Sequence, residues 1–553
     1  MRFKFIIIIF TTLLADTAIF GQSPNSITPT QIKRLDSIAT QDVPKGAPGI
    51  ATGIVSNGKI IYEKVAGFAN LTDSSLITKD TRFNIASNGK QFTALSILIL
   101  IDEKKISLTD DIRKYLPTIY PKLSSKITIE NLLNHTSGIR DVYDLWSLQG
   151  LTWWEHSFSN KDVLELIEKQ QELNFLPNAK HLYSNTNYIL LTAIVEKVTG
   201  KSFVAYTNEL FKKLNMPNTS FEDDYSKIQG PIAKAYFNFG TWTTYDWIWN
   251  ICGDGNIFST LADQLQWEQI LQGKMKSKIK RQILEKSQQL TDNSTIKNYG
   301  FGLEFGVYKG LSYKFHEGAT GAWKATVIRF PNKNISIVTL TNTGKSTPNT
   351  QTRQMADVVF NLKTDAAYLV TKPAKVGSLV SEEDMIGTYQ TDNNFTFQFE
   401  KRDSILYLKR IGRNDVQLER ESDNILHQTY DPDFKQEFKK NEKGEMTITA
   451  YYTSHSPYTL TKAVSNWTGY NYQALNGKFL NSETNVTTEI KYTGDKSYDV
   501  KVGSQDSTKG LLISPTKLLV DNYVFDIENR VGTPKIFLLS ADRIERVKFV
   551  RVN

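Results

Sequence analysis

The segment TRFNIASNGKQFTALSILILID, residues 81–102, leads from polar residues into an apolar stretch with helical spacing over 88–103. Ser87 stands at the start of this predicted helix, where the helix dipole and free backbone N–H groups stabilise a developing oxyanion. Lys90 follows one turn later on the same face and can accept the hydroxyl proton of Ser87 if burial lowers its pKa. Taken alone, this pair is common, and Ser87 could equally be a surface capping serine.

A second motif, Tyr183-Ser184-Asn185, lies in the segment KHLYSNTNYILL, residues 180–191. A phenol beside a lysine can pass a proton to a leaving group, and an amide two residues later can hold a substrate carbonyl. Read alone, Tyr183 could simply be packed at the start of a helix. We therefore predict Tyr183 as catalytic and Asn185 as substrate-binding only in combination with Ser87.

A third motif, His316-Glu317-Gly318, precedes a predicted strand in FHEGATGAWKATVIRF, residues 315–330. The glycine allows a substrate to approach a strand edge closely, and the backbone N–H of Ala319 could donate to an oxyanion together with that of Ser87. His316 is a candidate catalytic residue with a side chain that ordinarily titrates near pH ~6.5. A lone histidine of this kind could also be a hydrogen-bonded core residue.

In this order and spacing, the three motifs resemble those of the penicillin-recognising serine hydrolases, a family of class C β-lactamases, DD-carboxypeptidases, D-aminopeptidases and related esterases. The resemblance covers about residues 45–365 and extends to segments outside the three motifs. These further segments are ITIENLLNHTSGI at 127–139, LLTAIVEKVTGKSF at 190–203, FKKLNMPNTSF at 211–221 and GDGNIFSTLADQLQW at 253–267.

The resemblance implies an acyl-enzyme on Ser87, with proton handling shared by Lys90 and Tyr183. His316 occupies the place where many relatives carry the lysine of a Lys-Thr-Gly motif, which weakens the expectation of β-lactamase or carboxypeptidase activity. Two other positions depart from the family pattern, namely Gly89 in the first turn of the helix and Asn178 where relatives usually have glycine. Asparagine also tolerates turns, whereas a helical glycine costs up to ~1 kcal/mol relative to alanine.

The fold class that we predict is α+β: a β-lactamase-like domain over 24–366, with one antiparallel sheet flanked by helices. A linker is expected at 367–380, followed by an all-β, lipocalin-like domain over 381–553 with short strands at 8–12-residue spacing. Met385–Tyr389 aligns with Leu475–Phe479 at an offset of 90 residues. We favour one closed barrel of two similar halves, because closure removes sheet edges; two separate small β-domains are the alternative.

Residues 1–21 have the layout of a secretory signal peptide, with Arg2 and Lys4 before a short apolar run. We therefore expect an exported protein, periplasmic or secreted, without stable membrane insertion. Cys252 is the sole cysteine, so no intramolecular disulfide can form. The net charge is +8, and the basic residues are scattered along the chain rather than clustered, so we expect no nucleic-acid partner. We also expect no metal and no cofactor.

The leading functional hypothesis is hydrolysis of D-amino-acid peptides or amides, or of small esters. A β-lactamase, or a ligand-binding protein that uses the same fold without turnover, is the alternative. An aromatic run at 236–249 and the pair Trp153-Trp154 could line the cleft, although packing of a loop onto the domain is favoured. Neither the natural substrate nor the oligomeric state can be read from the sequence.

Overall fold

The structure is a computed structural model that describes residues 26–291, 296, 298–362, 379–391, 396–409, 415–429, 434–451, 457–463, 469–528 and 532–552. The predicted signal peptide and residues 367–378 of the predicted linker lie outside the described residues. Within the described part of the chain, no helix combines the length and the apolar composition that crossing a membrane requires.

The helix predicted at 88–103 is confirmed as Lys90–Asp102, one of ten α-helices in the described part of the first domain. These helices are α1 Pro29–Thr40, α2 Lys90–Asp102, α3 Ile129–Leu133, α4 Val142–Leu148, α5 Asn160–Glu168, α6 Asn185–Thr199, α7 Phe203–Lys213, α8 Leu261–Leu271, α9 Arg281–Lys286 and α10 Pro348–Phe360. Thr28 caps α1 in a capping box with Gln31, and Thr128 caps α3 in the same way with Asn131.

The strands of the first domain come from both ends of its sequence. They are β1 Ile50–Ser56, β2 Lys59–Ala66, β3 Phe68–Asn70, β4 Ser75–Leu76, β5 Phe83–Asn84, β6 Ser220–Phe221, β7 Phe237–Asn238, β8 Trp242–Thr243, β9 Ile257–Ser259, β10 Glu304–Tyr308, β11 Leu311–Thr320, β12 Trp323–Phe330 and β13 Ile335–Thr341. The main sheet has the order β10-β11-β12-β13-β1-β2 and is antiparallel. This confirms the predicted sheet of sequence-distant strands.

Local sequence explains how this sheet is built. The dipeptide Asn57-Gly58 predicts a two-residue hairpin turn, and both residues have the positive φ that such a turn requires, between β1 and β2. The run YGFGLEF, residues 299–305, predicts a strand, but β10 begins only at Glu304. The preceding residues turn instead, and Gly302 lies so close to the start of α2 that a Cβ there would be 2.6 Å from backbone atoms of Lys90 and Gln91.

The C-terminal part is all β, as predicted. It forms two closed barrels, so the favoured single barrel is wrong and the alternative of two small β-domains is confirmed. The first contains β14 Gly387–Gln390, β15 Thr396–Arg402, β16 Ile405–Lys409, β17 Val416–Ser422, β18 Ile425–Gln428, β19 Lys435–Lys440, β20 Met446–Tyr451 and β21 Tyr458–Lys462, preceded by α11 Glu382–Met385. The second contains β22 Gly477–Asn481, β23 Val486–Gly494, β24 Ser497–Val502, β25 Thr508–Ser514, β26 Lys517–Val520, β27 Tyr523–Glu528, β28 Ile536–Ser540 and β29 Val547–Val552.

The 90-residue repeat marks the start of each barrel. Gly387 and Gly477 open β14 and β22 with φ of 135° and 150°. Each repeat supplies eight strands, and eight suffice to close a barrel filled by side chains. The prediction of a single barrel did not consider that the eight strands of each repeat can close into a barrel of their own.

The two barrels differ in how they relate to the first domain. The apolar interior of the first barrel forms a separate core, whereas that of the second is continuous with the core of the first domain. Arg140, which is 1% exposed, donates to Glu483 of the second barrel at 2.6 Å. Lys180 of the first domain forms an ion pair with Glu545 at 2.7 Å. The second barrel is thus packed tightly against the first domain, with a shared apolar core and ion pairs between them.

Candidate active site

Ser87 lies in a strained turn that ends at the N-terminus of α2. Ala86 has φ of 48°, a left-handed conformation that costs free energy for a residue with a Cβ. The side chain of Asn84 accepts a hydrogen bond from the backbone N–H of Ala86 at 3.0 Å and thereby holds this turn. Gly89 is explained by packing, because a Cβ there would lie 2.5 Å from Ile257.

Lys90 is fully buried and donates three hydrogen bonds from its Nζ atom. Its acceptors are Ser87 Oγ at 3.0 Å, Asn185 Oδ1 at 2.9 Å and the backbone carbonyl of Asp254 at 2.5 Å. Burial lowers the pKa of Lys90 to about 7, although the nearby Asp254 carboxyl opposes that change. At neutral pH a large share of these amines is uncharged. In that form Nζ has two N–H donors and a lone pair, and the lone pair can accept the proton of the Ser87 hydroxyl.

Tyr183 and Asn185 lie beside the Ser87–Lys90 pair, as the motifs predict. The Nζ atom of Lys90 is 4.9 Å from the centre of the Tyr183 ring. Burial raises the pKa of Tyr183, whereas its hydrogen bond with Ser87 lowers it. The backbone N–H and side-chain amide of Asn185 both donate to Asp141 Oδ2, at 2.6 and 3.0 Å, and this leaves Asn185 Oδ1 facing Lys90.

His316 belongs to a buried hydrogen-bond chain that the sequence did not indicate. The backbone N–H of Ser184 donates to His135 Nδ1 at 3.2 Å, so His135 Nε2 carries the proton and donates to the Tyr299 hydroxyl at 3.2 Å. Tyr299 can then donate to His316 Nε2 at 3.3 Å, while His316 Nδ1 donates to the carbonyl of Glu317 at 2.8 Å. Both nitrogens of His316 are engaged, which favours a positioning role over the predicted catalytic one.

The environment of His316 also changes the expected titration. Burial, with a smaller contribution from the nearby charge of Lys90, lowers its pKa to about 3. The expectation of a histidine that changes charge between pH 6 and 7 is therefore wrong. His316 is neutral throughout the physiological range.

Strand β11 brings Gly318 and Ala319 against the turn that carries Ser87. A Cβ at Gly318 would lie 2.3 Å from the carbonyl oxygen of Ile85, so only glycine fits this approach. Ser87, Gly318 and Ala319 line one cleft of about 1120 Å³, together with Tyr183 and Asn185. The structure thus brings together all the site residues predicted from the sequence. Lys90 is buried and contacts Ser87 and Asn185, and the others line the cleft.

Aromatic side chains form another wall of the cleft. Trp153, Trp154, Trp247 and Trp249 line it, so part of the aromatic run contributes to the cleft as well as to loop packing. Trp247 donates from its indole nitrogen to Asn256 at 2.9 Å, which fixes the ring. Such a wall accommodates an apolar or planar group.

Charged residues that the sequence analysis did not single out also line the cleft. Burial raises the pKa of Asp144 and that of Glu304 to about 7 in each case. Asp254 is 6% exposed, and its carboxyl accepts from Tyr143 at 2.8 Å. Arg543 comes from the second barrel. Because sequence separation hides these contacts, no motif could have found them.

The described residues contain no group of three or more His, Cys, Asp or Glu side chains that could hold a metal ion. The fold and cleft together define a protein of the β-lactamase type, in which an antiparallel sheet and a helical layer enclose a serine at a helix N-terminus. A family model described as Beta-lactamase matches residues 35–360, which is more than half of the chain. The chain belongs to this family, whose members are serine hydrolases.

Several known proteins are similar to the chain. "Protein flp" of Staphylococcus aureus (strain MRSA252) is 35% identical over 234 residues, covering 38% of the chain and 44% of that protein. A D-aminopeptidase of Brucella anthropi is 26% identical over 304 residues, covering 53% of the chain and 56% of the enzyme. The chain therefore spans about half the length of these relatives.

Among solved structures, the octameric penicillin-binding protein homologue from Pyrococcus abyssi superposes with a TM-score of 0.55 at 20% identity. The match covers 78% of the chain and 100% of that structure. This likeness concerns the fold.

Proposed function

We propose that the protein is an exported serine hydrolase that cleaves amide or ester bonds through an acyl-enzyme on Ser87. The observation that carries the proposal is the 3.0 Å contact between Lys90 Nζ and Ser87 Oγ in a cleft that also exposes the Gly318–Ala319 strand edge. A buried amine with a pKa near 7 beside a hydroxyl is the arrangement that activates a serine nucleophile.

In the acylation step, Ser87 Oγ bonds to the substrate carbonyl carbon, and its proton passes to Lys90. The backbone N–H groups of Ser87 and Ala319 donate to the resulting oxyanion. Tyr183, which also lines the cleft, passes a proton to the leaving amine or alcohol as the scissile bond breaks and regains a proton from the protonated Lys90. Water then attacks the ester on Ser87 and gives a proton to the neutral Lys90. Lys90 returns a proton to Ser87 Oγ as the bond between Oγ and the acyl carbon breaks and the acid product leaves.

The surroundings of the nucleophile favour some substrates over others. The wall of Trp153, Trp154, Trp247 and Trp249 suits an apolar acyl group. A neutral His316 provides no charge for a β-lactam carboxylate at the position of the usual family lysine, so β-lactam hydrolysis remains the secondary candidate. Similarity to a D-aminopeptidase supports peptides and amides of D-amino acids as the first class to examine.

Covalent labelling tests the nucleophile. Intact mass after incubation with a fluorophosphonate should rise by one adduct, located on Ser87 by peptide mapping, and Ser87→Ala should remain unlabelled. A panel of a D-amino-acid amide, a D-Ala-D-Ala peptide, a nitrophenyl ester and nitrocefin then ranks the substrate classes. A folded protein that no serine-directed reagent labels, and that turns over none of the panel, would refute the proposal.

Export rests on the sequence of residues 1–21 alone. Expression of the full chain, followed by N-terminal sequencing of protein recovered outside the cytoplasm, tests it. A start near residue 22 is the expected result. Recovery only in the cytoplasm, with the N-terminus intact, would contradict export.

A further inference from the structure

The loop between β28 and β29 of the second barrel reaches the cleft and delivers Arg543 to it. The backbone of Arg543 is fixed on both sides. Its N–H donates to Asp144 Oδ2 at 2.7 Å, and its carbonyl accepts from Asn174 Nδ2 at 3.0 Å. Because the main chain is anchored to the first domain, the direction of the side chain is set by the fold.

The guanidinium of Arg543 lies over the ring of Tyr183, with Cζ 5.1 Å from the ring centre. Lys90 Nζ is 4.9 Å from the same centre, so the two cations are at most about 10 Å apart. Since Tyr183 passes its proton to the leaving group, Arg543 lies on the leaving-group side of the scissile bond.

This guanidinium makes no hydrogen bond to any residue that the structure describes. The side chain of Arg543 is 35% exposed, so a ligand in the cleft can reach it. Asp141 Oδ2 is 3.9 Å away and already accepts two hydrogen bonds from Asn185. Asp542 Oδ2 is 3.6 Å away, and the side chain of Asp542 is 67% exposed to water. Asp144, with a pKa of about 7, is partly uncharged at neutral pH. The planar set of donors on Arg543 is therefore available to a ligand.

Other cations at the cleft are already engaged. Lys90 donates to three oxygens, and Lys324 donates to the carbonyls of Gly344 and Ser346 at 2.7 and 2.8 Å. His316 is neutral. Among the cations of the described residues that line the cleft, Arg543 is the one whose charged group donates no hydrogen bond to a described residue.

We propose that Arg543 is a specificity-determining residue, which binds a carboxylate on the leaving group of the substrate through its guanidinium. This inference rests on the proposed hydrolase function and adds the charge of the substrate to it. A guanidinium and a carboxylate match geometrically and can form two parallel hydrogen bonds. The second barrel thereby supplies a recognition group that β11 lacks.

Three phenylacetyl esters of similar size test the proposal. Their leaving groups are 3-hydroxybenzoate, 3-hydroxybenzamide and 3-(aminomethyl)phenol, which are anionic, neutral and cationic at pH 7. We expect wild type to prefer the anionic ester. Arg543→Gln should lower the ratio of kcat/KM between the anionic and neutral esters about 10- to 100-fold, the range for a charge-assisted hydrogen bond, mainly through KM. Arg543→Lys keeps the positive charge but lacks the paired N–H donors of the guanidinium, so it should retain part of the preference for the anionic ester.

The matched control is Arg546→Gln, because Arg546 belongs to the same loop but is exposed and lies outside the cleft. It should leave the ratio unchanged. If Arg543→Gln slows all three esters equally, Arg543 acts on Tyr183 or Lys90 and the proposal is refuted. A wild-type preference for the cationic ester refutes it as well, because the acidic residues then dominate. Failure of the hydrolase proposal is distinguishable, since Ser87 would then resist fluorophosphonate labelling.

Discussion

Replacing Gly318 with alanine should slow acylation sharply without unfolding the protein. The added Cβ would lie 2.3 Å from the carbonyl oxygen of Ile85, whereas ordinary van der Waals contact begins at 3.4 Å. Neither the Cβ nor the backbone oxygen of Ile85 can rotate away, so β11 must move away from the Ser87 turn by about 1 Å. A displacement of that size at reacting groups costs about 100-fold in kcat, or ~2.7 kcal/mol of transition-state stabilisation.

The assay is single-turnover acylation by a nitrophenyl ester, with thermal unfolding measured on the same samples. Gly344→Ala is the matched control, because a Cβ there would have its nearest neighbour, the Phe237 ring, at 3.6 Å. Neither glycine has a positive φ, so the comparison isolates the close approach of two backbone segments. An acylation rate for Gly318→Ala equal to that of wild type would refute the reasoning about the oxyanion site.

Three further predictions concern charge. The kcat/KM for a neutral ester should rise with pH through about 7 as Lys90 loses its proton. Because the pKa of Glu304 is also about 7, Glu304→Gln is the control and should show the same rise in kcat/KM. A flat profile from pH 5 to 9 would contradict the role of Lys90. Glu483→Ala should cost about 3–5 kcal/mol in chemical unfolding because Arg140 stays buried without its partner, against about 0–1 kcal/mol for the exposed Glu489→Ala; equal costs would contradict this account. Lys90→Met should be more stable than wild type at pH 7. The unfolded chain holds the Lys90 proton up to about pH 10.5 and the folded one only to about 7, so wild-type stability rises over that window and the difference should shrink toward pH 10.5.

Sequence reasoning was strongest where a motif and its neighbours are local in the chain. The spacing of Ser87 and Lys90 on α2, and the turn at Asn57-Gly58, follow from backbone geometry that four to ten residues specify. Asn178 is a similar case, because its φ of 68° is a conformation that asparagine tolerates better than most residues. These features could be predicted without knowledge of the tertiary structure.

Tertiary contacts set the features that could not be predicted. The low pKa of His316 and its hydrogen-bond chain through Tyr299 to His135 depend on burial, and on bringing His135 next to Tyr299 although the two are 164 residues apart in the sequence. Tertiary contacts also explain why two barrels form where a single barrel was expected. Strand spacing shows that a region is all β, but closure depends on which edges meet in space, here β14 with β21 and β22 with β29.

The second barrel changes how the missing lysine of the family motif should be interpreted. Sequence alone suggested a cleft with weakened affinity for carboxylates, because His316 stands where many relatives have a permanent cation. Arg543 provides a permanent charge 5.1 Å from the Tyr183 ring centre, from a loop more than 350 residues downstream of that tyrosine. The charge at the mouth of the site therefore depends on a docked barrel, and the buried ion pair of Arg140 with Glu483 helps to hold that barrel in place. Substitutions of Arg140 or Glu483 and substitutions of Arg543 should consequently all weaken the preference for anionic leaving groups. Only the substitutions in the Arg140–Glu483 ion pair should also lower the free energy of unfolding.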